Sequence, residues 1–494
     1  MSELQRIERV PSGVPGLDTV LNGGFPQGGI HILQGLPGTG KTTLGNQICY
    51  HCAVANGRAL YVTLLAESHS RMLVHLGTMR FFDAERLPDQ IAYVSGLGAL
   101  EAEGLPGLVT LLRREITARQ STVLVLDGLV AAEDRAKSDT EFKTFIQEIQ
   151  TQAGLHGCTV FLLTTAKRTG VPPEHTMVDG VIELTDVQYG SRTERGLYVR
   201  KLRGSDYLPG RHPFRINEDG MTVYPRLEAG FSYAPESDEC LSGRLSTGIA
   251  GLDAMLGGGL PAATVTGLLG PTGAGKTVLG LHFATGSTRA EPGLIFGFYE
   301  TPARLRHQAA ALGLDLAGAL GRGDVEILWQ PHSEDIQDAL AHRLLYAVDH
   351  RAVRRLFLDG LGGFIQSSVE PERLSRFFAT LVNELRLRGV TVVYTMETRD
   401  VVGSGIELPV TGISSLVENL ISLRYVEHRA TWRRLISVVK MRSNGFNPAF
   451  REFLIENGRG LSLAGTFEGS EGLLSGFARE REAGNAPSPG TERR

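Results

Sequence analysis

Gly35-Leu36-Pro37-Gly38-Thr39-Gly40-Lys41-Thr42 is preceded by the apolar run Gly29-Ile30-His31-Ile32-Leu33, with Gln34 between them. A strand running into G-x-x-x-x-G-K-T predicts a phosphate loop. Its glycines let backbone N–H groups turn toward phosphate oxygens, its lysine brings a mobile charge to the β- and γ-oxygens, and its threonine offers a hydroxyl to Mg²⁺. The arrangement returns as Gly270-Pro271-Thr272-Gly273-Ala274-Gly275-Lys276-Thr277 behind Thr264-Val265-Thr266-Gly267-Leu268-Leu269, a period of 235 residues from Lys41 to Lys276. The residues expected to touch nucleotide are Gly38, Thr39, Gly40, Lys41, Thr42 and Thr43 in the first copy. In the second they are Gly273, Ala274, Gly275, Lys276, Thr277 and Val278. ATP with Mg²⁺ is the expected ligand of each.

The 494 residues leave room for two domains of similar size, and the repeat selects that division. The expected boundaries are a first domain over 1–230, a linker over 231–243, a second domain over 244–465 and a tail over 466–494. The linker contains Pro235-Glu236-Ser237-Asp238-Glu239, and the tail is rich in Gly, Ser, Glu and Arg. Hydrophobic residues make up 42% and charged residues 21%, an ordinary globular balance, and no run approaches the ~18 apolar residues of a membrane span. The N-terminus lacks a basic region followed by an apolar core, so the cytoplasm is the expected compartment. A net charge of −4 argues against a nucleic-acid binder. Cys49-Tyr50-His51-Cys52 has a metal-like spacing, but it falls on the helix expected after the first loop without a second ligand pair, so packing on a helix face is the better reading.

The echo between halves extends well beyond the loops. Ser12-Gly13-Val14-Pro15-Gly16-Leu17-Asp18 is matched by Ser246-Thr247-Gly248-Ile249-Ala250-Gly251-Leu252-Asp253. An apolar strand, Ala59–Leu65 or Leu294–Phe298, leads to an acid, Glu67 or Glu300. Another, Thr122–Asp127 or Arg355–Asp359, ends in an aspartate placed to hold the water shell of Mg²⁺ together with Thr42 or Thr277. Further apolar runs, Cys158–Leu163 and Val390–Thr395, complete an alternation that predicts an α/β fold: two tandem domains, each with a mostly parallel sheet flanked by helices. Each half then turns to shorter strands carrying Lys201-Leu202-Arg203 or Lys440-Met441-Arg442. Two cations on a strand can be solvated edge residues. Their return at nearly the same offset favours a common task, such as contacting phosphates bound by an adjacent subunit.

With these residues in view, the chain resembles the double-domain KaiC-like ATPases of the RecA-type P-loop superfamily, which includes circadian clock proteins. The resemblance runs from Ser12-Gly13 through Leu473-Leu474-Ser475-Gly476. It implies a homo-oligomeric ring, usually a hexamer of two tiers, with ATP at subunit interfaces and Lys201, Arg203, Lys440 and Arg442 reaching a neighbour's phosphates. It also implies a KaiB-like or other signalling protein as partner. The family usually has two adjacent glutamates after the second strand, the first of which activates the attacking group. Here Ala66-Glu67 and Tyr299-Glu300 stand there, which leaves Glu67 and Glu300 as candidate bases beside the catalytic lysines Lys41 and Lys276. Ser443 replaces a glycine that often follows the second Lys-x-Arg.

In the family's kinase-type second domain, adjacent hydroxyls ahead of an apolar strand receive the γ-phosphate from the neighbouring subunit's ATP. Ser414-Ser415 occupies that place, whereas the first half has Glu174-His175-Thr176-Met177. A strand-entry turn is the plainer reading of a serine pair, and its position in the repeat is what favours phosphorylation. The expectation is a ring-forming ATPase with serine autokinase activity in the second domain, serving in signalling or timing. The alternatives are a regulatory scaffold whose assembly follows nucleotide occupancy, favoured by the missing glutamates, and a DNA-handling RecA-type motor, opposed by the net charge.

Overall fold

The computed structural model describes residues 8–65, 69–165, 173–230, 243–331, 335–398, 417–442, 445–467, 470–471 and 479–480. The chain divides into two compact units, Met1–Ser232 and Tyr233–Arg494. Each unit is built on a nine-stranded sheet.

The first sheet uses β1 (Ile30–Gly35), β2 (Ala59–Thr63), β3 (Ile91–Ser95), β4 (Val123–Asp127), β5 (Thr159–Thr164), β6 (Gly180–Tyr189), β7 (Arg192–Leu202), β8 (Arg211–Asn217) and β9 (Gly220–Val223). Their spatial order is β9-β8-β7-β6-β1-β5-β4-β2-β3. All pairings from β6 through β3 are parallel, while β7, β8 and β9 continue as an antiparallel meander. The second sheet repeats this plan. It uses β10 (Val265–Gly270), β11 (Gly293–Gly297), β12 (Val325–Trp329), β13 (Arg355–Asp359), β14 (Thr391–Glu397), β15 (Asn419–His428), β16 (Thr431–Met441), β17 (Arg451–Glu456) and β18 (Gly460–Thr466). Read from the opposite edge, its order β12-β11-β13-β14-β10-β15-β16-β17-β18 matches the first. These are the tandem RecA-like sheets expected from the strand and helix alternation.

Continuous apolar runs form the central strands because both faces of a parallel sheet are covered. In the first unit Leu33, Tyr61, Val125 and Phe161 pack on one side with Leu44 and Ile48 of the helix Lys41–Val54. Their neighbours Ile32, Leu60, Leu124 and Leu162 pack on the other, against the helices Leu97–Arg119 and Asp139–His156. In the second unit Leu268, Ile295, Phe357 and Val393 repeat the first of these layers around the helix Lys276–Thr285. There Gly280 is required by close approach: a Cβ would stand 2.0 Å from the Phe357 ring.

One polar position at which the units differ is next to the layers' centre. His31 of β1 is fully buried between the rings of Phe25 and Phe161, with centroids 4.9 and 5.6 Å away. Burial lowers its pKa from 6.5 to about 4, against the opposing pull of the Pro26 carbonyl and Asp179. The corresponding residue of β10 is Thr266, which accepts a hydrogen bond from the Asn419 side chain at 3.1 Å. Between pH 6.5 and 4 an unfolded chain protonates this imidazole while the folded one holds it neutral. The unfolded state therefore binds more protons, and stability falls as the pH drops through that window, by about 3 kcal/mol in all. The protection of β1 amides, taken relative to the intrinsic exchange rate at each pH, should fall from pH 6.5 to 4.5, and His31→Val should remove that excess loss. An unchanged excess in the variant would show that another group sets it.

Candidate nucleotide sites

Each phosphate loop leaves the carboxyl end of the sheet's central strand and turns into a helix whose first residue is the lysine. Gly38 and Gly40 take φ of 83° and 103°, and Gly273 and Gly275 take 77° and 103°. That left-handed backbone suits glycine and aims successive N–H groups at one concavity, to which the helix N-terminus adds its partial positive charge. Gly35 and Gly270 serve a different need, since a Cβ there would lie 2.5 Å from the Leu184 carbonyl or 2.4 Å from the Leu423 carbonyl. Thr39 and Ala274 are buried under their loops.

The lysines curl over the loops they follow. Lys41 Nζ donates to the carbonyls of Gly35 at 2.7 Å and Leu36 at 3.0 Å, and Lys276 Nζ to those of Gly270 and Pro271 at 2.7 Å each. Burial lowers both pKa values, opposed by Asp127 for Lys41 and by Glu397 and then Asp359 for Lys276. Thr42 Oγ1 donates to Asp127 at 3.2 Å, and Thr277 Oγ1 lies 3.3 Å from both carboxylate oxygens of Asp359. A hydroxyl facing a strand-end carboxylate is the oxygen set that a hard, partly hydrated cation accepts beside phosphate.

The two carboxylates are held differently. Asp127 accepts from the Tyr61 hydroxyl at 2.6 Å, and Asp359 accepts from Thr395 Oγ1 at 3.1 Å. Burial raises the Asp359 pKa, the Thr395 and Thr277 hydrogen bonds lower it, and Glu300 raises it again. Around Asp359 opens a cleft of about 740 Å³ that also takes in Lys276, Val278, Tyr299, Glu300 and Glu397. Around Asp127 the cleft is about 270 Å³, with Thr42, Thr43 and His69 on its wall. Glu300 also forms a 3.8 Å ion pair with Arg304. Glu67, Ser414 and Ser415 lie outside the described residues, as does Ser443.

Lys201 and Lys440 do not join their own clefts. Lys201 pairs with Val181 of β6, and Arg203 N–H binds the carbonyl of Asp179, whose own N–H binds that of Ile30. Arg203 is therefore level with the start of β1, about 16 Å along the strand from Gly35, and Lys201 is level with Ile32, about 10 Å from it. Lys201 Nζ donates to the carbonyls of His175 (2.8 Å) and Val178 (2.6 Å), and Arg203 to that of Thr176 (2.8 Å). In the second unit Lys440 pairs with Leu420, itself level with Gly267, and donates to the Val417 carbonyl at 2.7 Å. Burial lowers the pKa of both lysines, and the neighbouring Arg203 or Arg442 adds to the shift.

Sequence reading missed Tyr61, Thr395 and Glu397. Glu397 closes an apolar strand just as Asp359 does, and that shared signal is how it could have been found.

Two phosphate loops, each beside a strand-end aspartate on a RecA-like sheet, define a tandem P-loop nucleotide-binding protein. The family described as "ATPase: KaiC" matches residues 10–228 and again 245–466. The chain belongs to this KaiC ATPase family. It is similar to the circadian clock oscillator protein KaiC of Picosynechococcus sp., 26% identical over 96% of this chain and 93% of that protein. KaiC of Thermostichus vulcanus is 26% identical over 95% and 92%, and KaiC of Synechococcus elongatus 24% over 96% and 92%. ATP binding follows from the family. Asp359→Asn should weaken Mg²⁺-dependent ATP binding by the second unit about tenfold, since it removes the one buried charge facing Thr277. Equilibrium titration with fluorescent ATP in the Lys41→Ala background reads that change, and unaltered affinity would remove Asp359 from the cation site.

Proposed function

We propose that this chain is a ring-forming, Mg²⁺-dependent ATPase whose second unit also transfers phosphate to Ser414 or Ser415, in a signalling or timing role like that of its circadian clock relatives. The observation that carries the reading is the placement of Lys440. Its ammonium holds the Val417 carbonyl at the edge of the sheet opposite its own phosphate loop. A cation so placed serves a nucleotide on another copy, and Val417 lies two residues past Ser415 in sequence.

On this reading each clamp binds triphosphate through loop N–H groups and its lysine, while Lys201 with Arg203, or Lys440 with Arg442, meets the γ-phosphate of an adjoining subunit. The threonine–aspartate pairs would hold Mg²⁺. Among the described residues no group of three or more His, Cys, Asp or Glu is arranged for a metal ion, and Mg²⁺ with nucleotide needs only one or two carboxylates beside phosphate and water. The cation would offset charge on the transferring phosphoryl group. A KaiB-like or other signalling protein is the proposed class of partner. Occupancy-driven scaffolding remains the second reading, because Tyr299 stands where the family usually has an acid.

Light scattering should show a hexamer with ATP and Mg²⁺. A species that stays monomeric would remove the trans-acting arrangement. Lys41→Ala should chiefly lower ATP turnover or assembly, and Lys276→Ala should chiefly lower self-phosphorylation. After incubation with γ-labelled ATP, mass spectrometry should place phosphate on Ser414 or Ser415 and none on Thr176. Equal labelling of a protein with both serines changed to alanine would end the autokinase reading in favour of the scaffold.

A further inference from the structure

Glu397 is the last residue of β14 and lies level with Gly270, where the second phosphate loop begins. Its carboxylate accepts a hydrogen bond from Thr272 of that loop and lines the same cleft as Lys276, Asp359, Tyr299 and Glu300. The first unit lacks both members of this pair. By the internal repeat Pro37 stands at the position of Thr272, and Thr165, one residue past the end of β5, stands at that of Glu397. The second unit has thus gained a carboxylate at the loop, in a cleft where Tyr299 takes the place of the family's first glutamate.

Tyr299 cannot fill the missing role. Its ring is seated over Gly360 and Gly362, where added Cβ atoms would come within 2.4 and 2.3 Å of it. Burial raises its pKa, with Glu397 and Asp359 adding to the rise, so the phenol stays protonated near neutral pH. The remaining acids differ in company: Asp359 faces Thr277, Glu300 pairs with Arg304, and Glu397 faces the loop itself.

We propose that Glu397 takes the proton from the oxygen that attacks the γ-phosphate in the second unit. This rests on that cleft being a nucleotide site. The attacking oxygen, of water or of a seryl hydroxyl, forms a bond to the γ-phosphorus. The bond from that phosphorus to the β,γ-bridging oxygen breaks, and its electron pair leaves on ADP. The proton of the attacking oxygen passes to Glu397 and then to solvent. Before a triphosphate enters, Thr272 occupies the carboxylate and keeps it at the loop.

The test uses the full chain carrying Lys41→Ala, so that turnover reports the second unit. Glu397→Gln keeps an acceptor for Thr272 and loses the base. Affinity for fluorescent ATP should stay within about threefold, while turnover falls by at least about 100-fold, the range of a removed general base. Glu397→Asp should recover part of the rate, and added formate should recover part of the rate of Glu397→Ala. Turnover of Glu397→Gln within threefold of its parent would overturn the assignment. So would a matching loss of ATP affinity, or an alanine variant that formate does not rescue, since those mark a residue that only pins the loop. A Lys41→Ala parent that forms the same assembly as the unaltered chain yet does not bind ATP would refute the nucleotide reading of the second unit, and the proton assignment would fall with it.

Discussion

The parallel strands are covered on both faces, and this constraint orders each unit. Ile32, Leu60, Leu124 and Leu162 face one layer while Leu33, Tyr61, Val125 and Phe161 face the other, so the strand bodies offer little room for charge. Ionic chemistry is pushed to the ends of the strands, the general position of ligand sites in open α/β sheets. At the carboxyl ends the chain must leave the sheet and enter a helix at once, and the left-handed glycines make that turn. The lysine that opens the helix then reaches back to the carbonyl where the strand stopped.

The antiparallel meander supplies the other edge. Because β6 and β7 pair antiparallel, the chain returns to the amino ends of the parallel strands just where Lys201 or Lys440 occurs. Each ammonium is then held on backbone carbonyls beside the entry to β6 or β15. Each of these lysines consequently sits back along the central strand from its own loop, by about 10 Å, level with Ile32 or Gly267.

Much of this was legible in the sequence because glycine, lysine and strand-end aspartate report local needs. The loops, the strands β1, β2, β4 and β5 with their counterparts, and the threonine–aspartate pairs all follow from residues within one short run or from matched runs in the two halves. The edge strands Ile91–Ser95 and Val325–Trp329 were not legible, since burial fades along each and the apolar signal fades with it. Glu397 was hidden for another reason. Its closeness to Thr272 depends on β14 lying between β10 and β13 in space, a neighbourhood that the chain reaches only after four crossovers. The same holds for Tyr61 and Thr395: a pattern can mark both as buried strand residues, but only strand order sets each against its aspartate.

The internal duplication provides a comparison within one molecule. Where the first unit has Pro37 and Thr165, the second has Thr272 and Glu397, and the two later residues meet. Either change alone is awkward: a carboxylate facing Pro37 would find no donor there, and a threonine facing Thr165 would add no charge to the cleft. Together they place an anion next to Lys276 in a space of about 740 Å³. A neutral Tyr299 beside Asp359 leaves that cleft one negative charge short of a glutamate in the same place, and Glu397, whose charge Tyr299 also feels, supplies one from β14. This acid comes from a different strand and faces the loop through Thr272. An anion beside the loop lysine is thus particular to the second unit's pairing of Thr272 with Glu397.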